Sequence, residues 1–280
     1  MIKIERLTKS YGDFRLEVSM EVPEGRVTGL VGKNGAGKST TIKAILGLIR
    51  PDGGSVKVMG VEASDMTARE RSRLGVALSD SGFNSGLSVS DVARILRKSY
   101  RGFDEERFLA ACRDQGLPAD KVIKTFSTGM KAKLRVLTAL SHDADVLVLD
   151  EPTAGLDVEA RTEILDILRG YLARNEKRSI LITSHIATDL ESICDDIYLI
   201  HQGRILLHED TDVILSDYAV IKADEETFEK LDRRYLLTAR KEGAVYKCLT
   251  KEKAFYTENY PDLIVENGGI DDLILMMTGR

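Results

Sequence analysis

The sequence predicts an α/β fold built on a largely parallel, buried sheet, and three patterns carry that reading. Residues 27–31, 74–78, 146–149, 180–183 and 197–200 are nearly continuous apolar runs, as expected of strands covered on both faces. Between them, Ile42, Ile45, Leu46 and Ile49, and later Ile164, Ile167, Leu168, Tyr171 and Leu172, recur at helical spacing. Near the start, Leu16, Val18, Met20 and Val22 alternate with Arg15, Glu17, Ser19 and Glu21, the period of a half-solvated strand. Val56 and Val58 continue this edge-like character after the Pro51-Asp52-Gly53-Gly54 turn. Strands alternating with helices define the class.

The strand runs stop between Gly86 and His142, where helical patterns dominate, so a helical insertion of about residues 80–142 interrupts the sheet. It resumes at Asp145. The main unit is expected to span residues 1–215, and residues 216–280 read as a small C-terminal α+β appendage. There, segments 218–221, 224–231, 235–239, 244–249, 251–260 and 263–265 suggest a βαββαβ order. A last helix over 270–277 carries Leu273, Ile274, Met276 and Met277 as a face in need of a partner surface. No nucleotide, metal or nucleophile motif stands out in this appendage.

Composition narrows the function classes. The chain has 280 residues, 43% hydrophobic, and 40 Lys and Arg against 45 Asp and Glu, a net charge of −5. A core of useful size is available, and nothing resembles the basic tract of a nucleic-acid binder. Cys112, Cys194 and Cys248 are widely spaced and odd in number, which suits buried thiols in a reducing compartment. The first ten residues carry charge where a signal peptide needs an apolar core, and no apolar run reaches membrane-helix length. A cytosolic chain that does not itself span a membrane is expected.

The residues from Gly32 to Thr40, GKNGAGKST, satisfy GxxxxGK[ST] and lie between an apolar strand and an amphipathic helix. Gly32, Asn34, Gly35, Ala36 and Gly37 would let backbone N–H groups wrap phosphate oxygens at a helix N-terminus. Lys38 would neutralise the β- and γ-phosphates of ATP, with Thr40 in the same loop, and the Ser39 hydroxyl would ligate Mg²⁺. The run 146–149 then delivers Asp150 and Glu151 to the carboxyl end of a buried strand, where open α/β sheets bind ligands. Two adjacent carboxylates there require compensation by a cation. Asp150 is read as the metal ligand and Glu151 as the group that polarises the attacking water.

These features fix a nucleotide but not a family. Phe126-Ser127-Thr128-Gly129-Met130-Lys131 precedes an apolar helical stripe at Met130, Leu134, Leu137 and Leu140 and resembles the signature motif of ABC ATPases. Other elements of that family follow in order. Tyr11 resembles the aromatic that stacks on adenine, Ala154-Gly155-Leu156-Asp157 the D-loop, and Ser184-His185 the switch histidine.

The resemblance implies a P-loop NTPase (RecA-like) core with a mixed sheet, an antiparallel β edge and a helical insertion. It implies ATP and Mg²⁺ as cofactors, with Ser127, Gly129 and Asp157 added to the nucleotide contacts and His185 to the catalytic ones. The partners implied are a second ATPase cassette, identical or paralogous, and multi-span membrane permease subunits, with the chain peripheral on the inner face of the membrane. The short cassette and the form of the signature are most similar to ATPases of bacterial ABC-2-type exporters. The alternative, a soluble ABC ATPase acting on DNA or ribosomes, would call for a coiled-coil insertion or two cassettes, and neither pattern is present. One departure concerns the metal. Residues 77–81 lack the glutamine found in most members, and Asp80 is the candidate to reach Mg²⁺ through water.

Overall fold

The computed structural model describes residues 1–79 and 82–279. In chain order the main unit runs β1 (Ile2–Tyr11), β2 (Phe14–Val22), β3 (Val27–Val31), α1 (Lys38–Ile45), β4 (Gly53–Val58), β5 (Val61–Glu62), α2 (Ala68–Arg71) and β6 (Leu74–Ala77). The helical insertion follows as α3 (Val89–Ser99), α4 (Glu105–Asp114) and α5 (Thr128–Leu140). Then come β7 (Val146–Asp150), α6 (Val158–Leu172), β8 (Ser179–Thr183), α7 (Ala187–Ile193), β9 (Asp196–His201), β10 (Arg204–Asp210) and α8 (Thr211–Asp217).

Among the described residues ten strands form one sheet in the order β5-β4-β1-β2-β10-β9-β3-β8-β7-β6. The five from β9 to β6 are parallel, whereas β1, β2, β4 and β5 pair antiparallel. This is the mixed sheet with an antiparallel edge that the family resemblance implies. Every residue of β3, β7 and β8 is buried. In β2 burial alternates, with Leu16, Val18, Met20 and Val22 inward.

Two expectations shift. Helix α1 stops at Ile45, so Ile49 lies beyond it. Gly47 ends the helix with φ +66, and a Cβ there would come within 2.5 Å of the Ala63 carbonyl oxygen. Strand β10 was not evident in the sequence, because its residues are only partly buried and interleave with Arg204, Glu209 and Asp210.

Capping fixes the insertion's helices. Ser88 and Asp91 form a reciprocal box at the start of α3, and the side chains of Asp104 and Ser127 accept N–H bonds at the starts of α4 and α5. The insertion has its own core, including Leu96, Phe108, Cys112 and Leu134. Burial drives the Cys112 thiol up to about 12 and raises those of Cys194 and Cys248, so all three are chemically quiet.

The appendage runs β11 (Ala219–Ala223), α9 (Glu225–Lys230), β12 (Leu236–Glu242), β13 (Val245–Thr250), α10 (Lys253–Asn259), β14 (Ile264–Asn267) and α11 (Ile270–Thr278). Its sheet has the order β12-β13-β11-β14. The α11 face does not await an outside partner. Ile270, Leu273 and Met276 are buried in one cluster with Leu190, Cys194 and Ile197 of the main unit and Val220 and Leu249 of the appendage sheet. The reason is length: after β14 the chain can return α11 directly onto α7, where the Glu191 carboxylate accepts the N–H of Ile270 at 2.9 Å. Among the described residues no helix is long and apolar enough to cross a membrane.

A buried leucine of this kind contributes about 1.5–3 kcal/mol through apolar burial alone. Leu273→Ala should therefore lower unfolding stability by roughly 2–4 kcal/mol, read as an earlier urea midpoint. Leu275→Ala, at an exposed position of the same helix, should change it little.

Candidate active site

The carboxyl ends of β3, β6, β7 and β8 come together at one edge of the parallel sheet, where Leu30 and Asp150 both pair with Thr183. The loop from Gly32 to Gly37 leaves β3 there and folds into the first turn of α1. Gly32 touches the sheet so closely that a Cβ would sit 2.2 Å from the Ile200 carbonyl oxygen. Gly37, the residue before α1, has φ +119, a conformation that side chains resist. Its geometry turns the unpaired N–H groups of the helix start toward the loop's concave side.

A cleft of about 600 Å³ opens over this loop, lined by Lys33, Asn34, Gly35, Gly37, Lys38, Ser39 and Thr40 together with Phe14, Ser79, Glu151, Ala154 and His185. Lys38 is 6% exposed. Its ammonium donates to the Gly32 carbonyl at 2.7 Å and lies 3.7 Å from a Glu151 oxygen. Ala36 is buried beneath the loop. Lys33 points elsewhere and donates to the carbonyl of Gly279, tying the end of the appendage to the phosphate loop.

Asp150 is 5% exposed and carries three hydroxyl partners. Its Oδ2 accepts from Ser79 at 2.8 Å and Ser39 at 3.3 Å, and its Oδ1 accepts from Thr183 at 2.7 Å. Among the described residues no Lys or Arg pairs with it. A buried carboxylate compensated only by hydroxyls is costly, and one carboxylate beside a serine hydroxyl is an oxygen donor set suited to Mg²⁺, which typically takes few protein ligands and shares the rest with phosphates. Residues and ion fit.

Glu151 follows β7 with φ +51. That left-handed backbone costs a non-glycine residue about 1–2 kcal/mol. It swings the side chain off the strand toward His185, whose Nδ1 lies 2.6 Å from Glu151 Oε2. Facing a carboxylate, that nitrogen serves as the donor. His185 is 56% exposed against 14% for Glu151, so the pair bridges the buried floor and the open mouth of the cleft.

The remaining residues named from the sequence fall outside this lining. Tyr11 is 49% exposed at the end of β1, and Phe14, its partner across the turn, is the aromatic that reaches the cleft. Ser127 and Gly129 sit at the start of α5, where the Ser127 hydroxyl accepts the Met130 N–H. The Asp157 carboxylate caps α6 by accepting the Ala160 N–H at 2.8 Å. Asp80 lies outside the described residues. Sequence reasoning missed Ser79 and Thr183. Neither belongs to a recognisable spacing, and only strand pairing brings their hydroxyls to Asp150.

A family model described as ABC transporter matches residues 16–154. The lantibiotic transport ATP-binding protein SrtF of Streptococcus pyogenes is 35% identical over 216 residues, covering 76% of this chain and 92% of that protein. The chain belongs to the ABC transporter family of ATP-binding proteins. The bacitracin transport ATP-binding protein BcrA of Enterococcus faecalis is 33% identical over 74% of this chain and 68% of its own length. The linearmycin resistance ATP-binding protein LnrL of Bacillus subtilis is 28% identical and aligns with 100% of this chain and 99% of its own, so that likeness extends through the appendage.

Among solved structures, an ATP-binding subunit of an ABC transporter superposes with a TM-score of 0.68 at 29% identity, covering 76% of this chain and 91% of that one. A dimeric ATP-binding cassette bound to ADP and Pi in a post-hydrolysis state shares the fold, with a TM-score of 0.67 at 21% identity over 75% of this ABC chain and 99% of that one. ATP binding and hydrolysis are the general chemistry of the family.

The contact under Gly32 sets the shape of the phosphate loop in this ABC protein. Gly32→Ala should reduce binding of a fluorescent ATP analogue more than tenfold, because a methyl group there displaces the loop from Ile200. Gly170→Ala, with open space at its Cβ in α6, should bind as the wild type does.

Proposed function

We propose that this chain is the ATP-hydrolysing subunit of an exporter, working as a pair of cassettes against separate membrane subunits at the inner face of the membrane. The observation that carries the reading is the convergence of Lys38, Ser39, Glu151 and His185 on one cleft, with Asp150 bonded behind Ser39 and Ser79 of its lining and with Ser127 and Gly129 outside it. The cleft is half a site. Relatives at 33–35% identity are named as ATP-binding proteins of bacitracin and lantibiotic transport, which supports export. A soluble role on DNA or ribosomes finds no such support.

In the proposed reaction Lys38 and the loop N–H groups hold the phosphates. Ser39 and Asp150 would hold Mg²⁺, which supplies charge neutralisation of the β- and γ-phosphates. Glu151 accepts the proton of the water that attacks the γ-phosphorus as the bond to ADP breaks. His185 keeps the Glu151 carboxylate aimed at the cleft and contacts the γ-phosphate. Tyr11, exposed across the turn from the cleft-lining Phe14, is the aromatic assigned to stack on the base, and Ser127, Gly129 and Asp157 of a second cassette close the outer side. ATP then joins the cassettes, and loss of the γ-phosphate separates them. Residues 1–215 form the cassette in this scheme, with 216–280 bracing it.

Glu151→Gln preserves size and most hydrogen bonding but removes the base. It should bind MgATP normally, lose turnover by more than about a hundredfold, and shift from monomer to dimer in light scattering with ATP but not ADP. Adding Ser127→Arg should abolish the shift. A Glu151→Gln protein that stays monomeric in saturating MgATP would rule out an identical-cassette sandwich.

A further inference from the structure

Beyond the residues already given roles, Thr183 connects the two acids of the cleft. It is the last residue of β8, 0% exposed, and lies opposite Asp150 in the parallel pairing. Its hydroxyl donates to Asp150 Oδ1 at 2.7 Å. The same oxygen accepts the N–H of Glu151 at 3.0 Å, and the Thr183 carbonyl accepts that N–H as well, at 3.1 Å. A hydroxyl has one proton to give and lone pairs to receive, so these contacts use it in both senses. One hydroxyl thereby fixes the carboxylate of one acid and the backbone of the next.

Each contact has a consequence for the reaction. Thr183 holds Oδ1 of Asp150 while Ser79 and Ser39 hold Oδ2, so the Thr183 hydroxyl helps set the direction the carboxylate presents to a cation. The Glu151 amide, gripped by both Thr183 oxygens, keeps the left-handed φ of +51 that turns its side chain to His185. An extended backbone at Glu151 would continue the strand and carry the carboxylate away from the cleft. We infer that Thr183 is a positioning residue for ATP hydrolysis, holding the metal-binding and water-activating carboxylates in register through a single hydroxyl.

This inference rests on the ATPase reading, and the two fail differently. Wild-type protein that neither binds nor hydrolyses MgATP removes the reading itself. Given an active wild type, Thr183→Val keeps the shape and removes the hydroxyl, while Thr183→Ser keeps the hydroxyl. The valine variant should lose at least tenfold in kcat with KM for MgATP within threefold, and the serine variant should stay within threefold of wild type in both. With Mn²⁺ and a non-hydrolysable ATP analogue, electron paramagnetic resonance should show Mn²⁺ bound severalfold more weakly in the valine variant, and normally in the serine variant, at equal analogue stoichiometry.

A purely structural role predicts instead a loss of kcat matched by lost analogue-binding stoichiometry, with Mn²⁺ affinity unchanged in the molecules that bind. That result overturns the inference, as does a valine variant with wild-type kcat or a serine variant as impaired as valine. If the valine variant does not fold, Thr183→Ala, which removes the hydroxyl without adding bulk, is held to the same outcomes.

Discussion

The Asp150 carboxylate sits at the carboxyl edge of β7, almost wholly out of water and without a basic partner among the described residues. Stabilising that charge takes donors from three directions, and the structure supplies one from each neighbouring element: Ser39 at the start of α1, Ser79 after β6 and Thr183 at the end of β8. Each donor is present because a parallel strand or its following loop ends at the same level. Loss of register by one residue would turn every side chain at this edge to the other face. A divalent cation bound with a phosphate chain would complete what the hydroxyls leave unfinished.

The strain at Glu151 depends on the same edge. A left-handed non-glycine residue survives where its surroundings hold it on several sides, and here Thr183 holds the amide while His185 holds the carboxylate. The floor of the cleft is thus rigid and buried. Its mouth, by contrast, is exposed at His185 and Asn34, and Ser127 caps a helix of the insertion with Gly129 in its first turn, both outside the cleft lining. This division between a fixed floor and an open mouth is what a site shared between two cassettes requires.

The appendage is joined to this machinery at two points. Helix α11 packs on α7, the helix that follows His185, and Lys33 of the phosphate loop donates to the Gly279 carbonyl just past the end of α11. Apolar burial of Ile270, Leu273 and Met276 supplies the adhesion, and the two polar contacts fix where along the main unit the helix lies. The helix therefore runs from α7 at its start to the phosphate loop just past its end.

Local pattern alone determined the class of fold and the central residues. Continuous apolar runs marked β3, β7 and β8 because both faces of those strands are buried, and the P-loop and the Asp150-Glu151 pair were legible because backbone chemistry demands those residue types at fixed spacing. The same logic failed for β10, whose half-exposed residues carry no period strong enough to stand out, and for the end of α1, where a close contact to Ala63 made Gly47 a stop. It also misjudged α11, since an apolar helix face looks the same in sequence whether its partner is another protein or the chain itself. Ser79 and Thr183 were invisible for a related reason. A serine or threonine at a strand end has many uses, and only the parallel register of β6, β7 and β8 brings those two hydroxyls within hydrogen-bonding distance of one buried carboxylate.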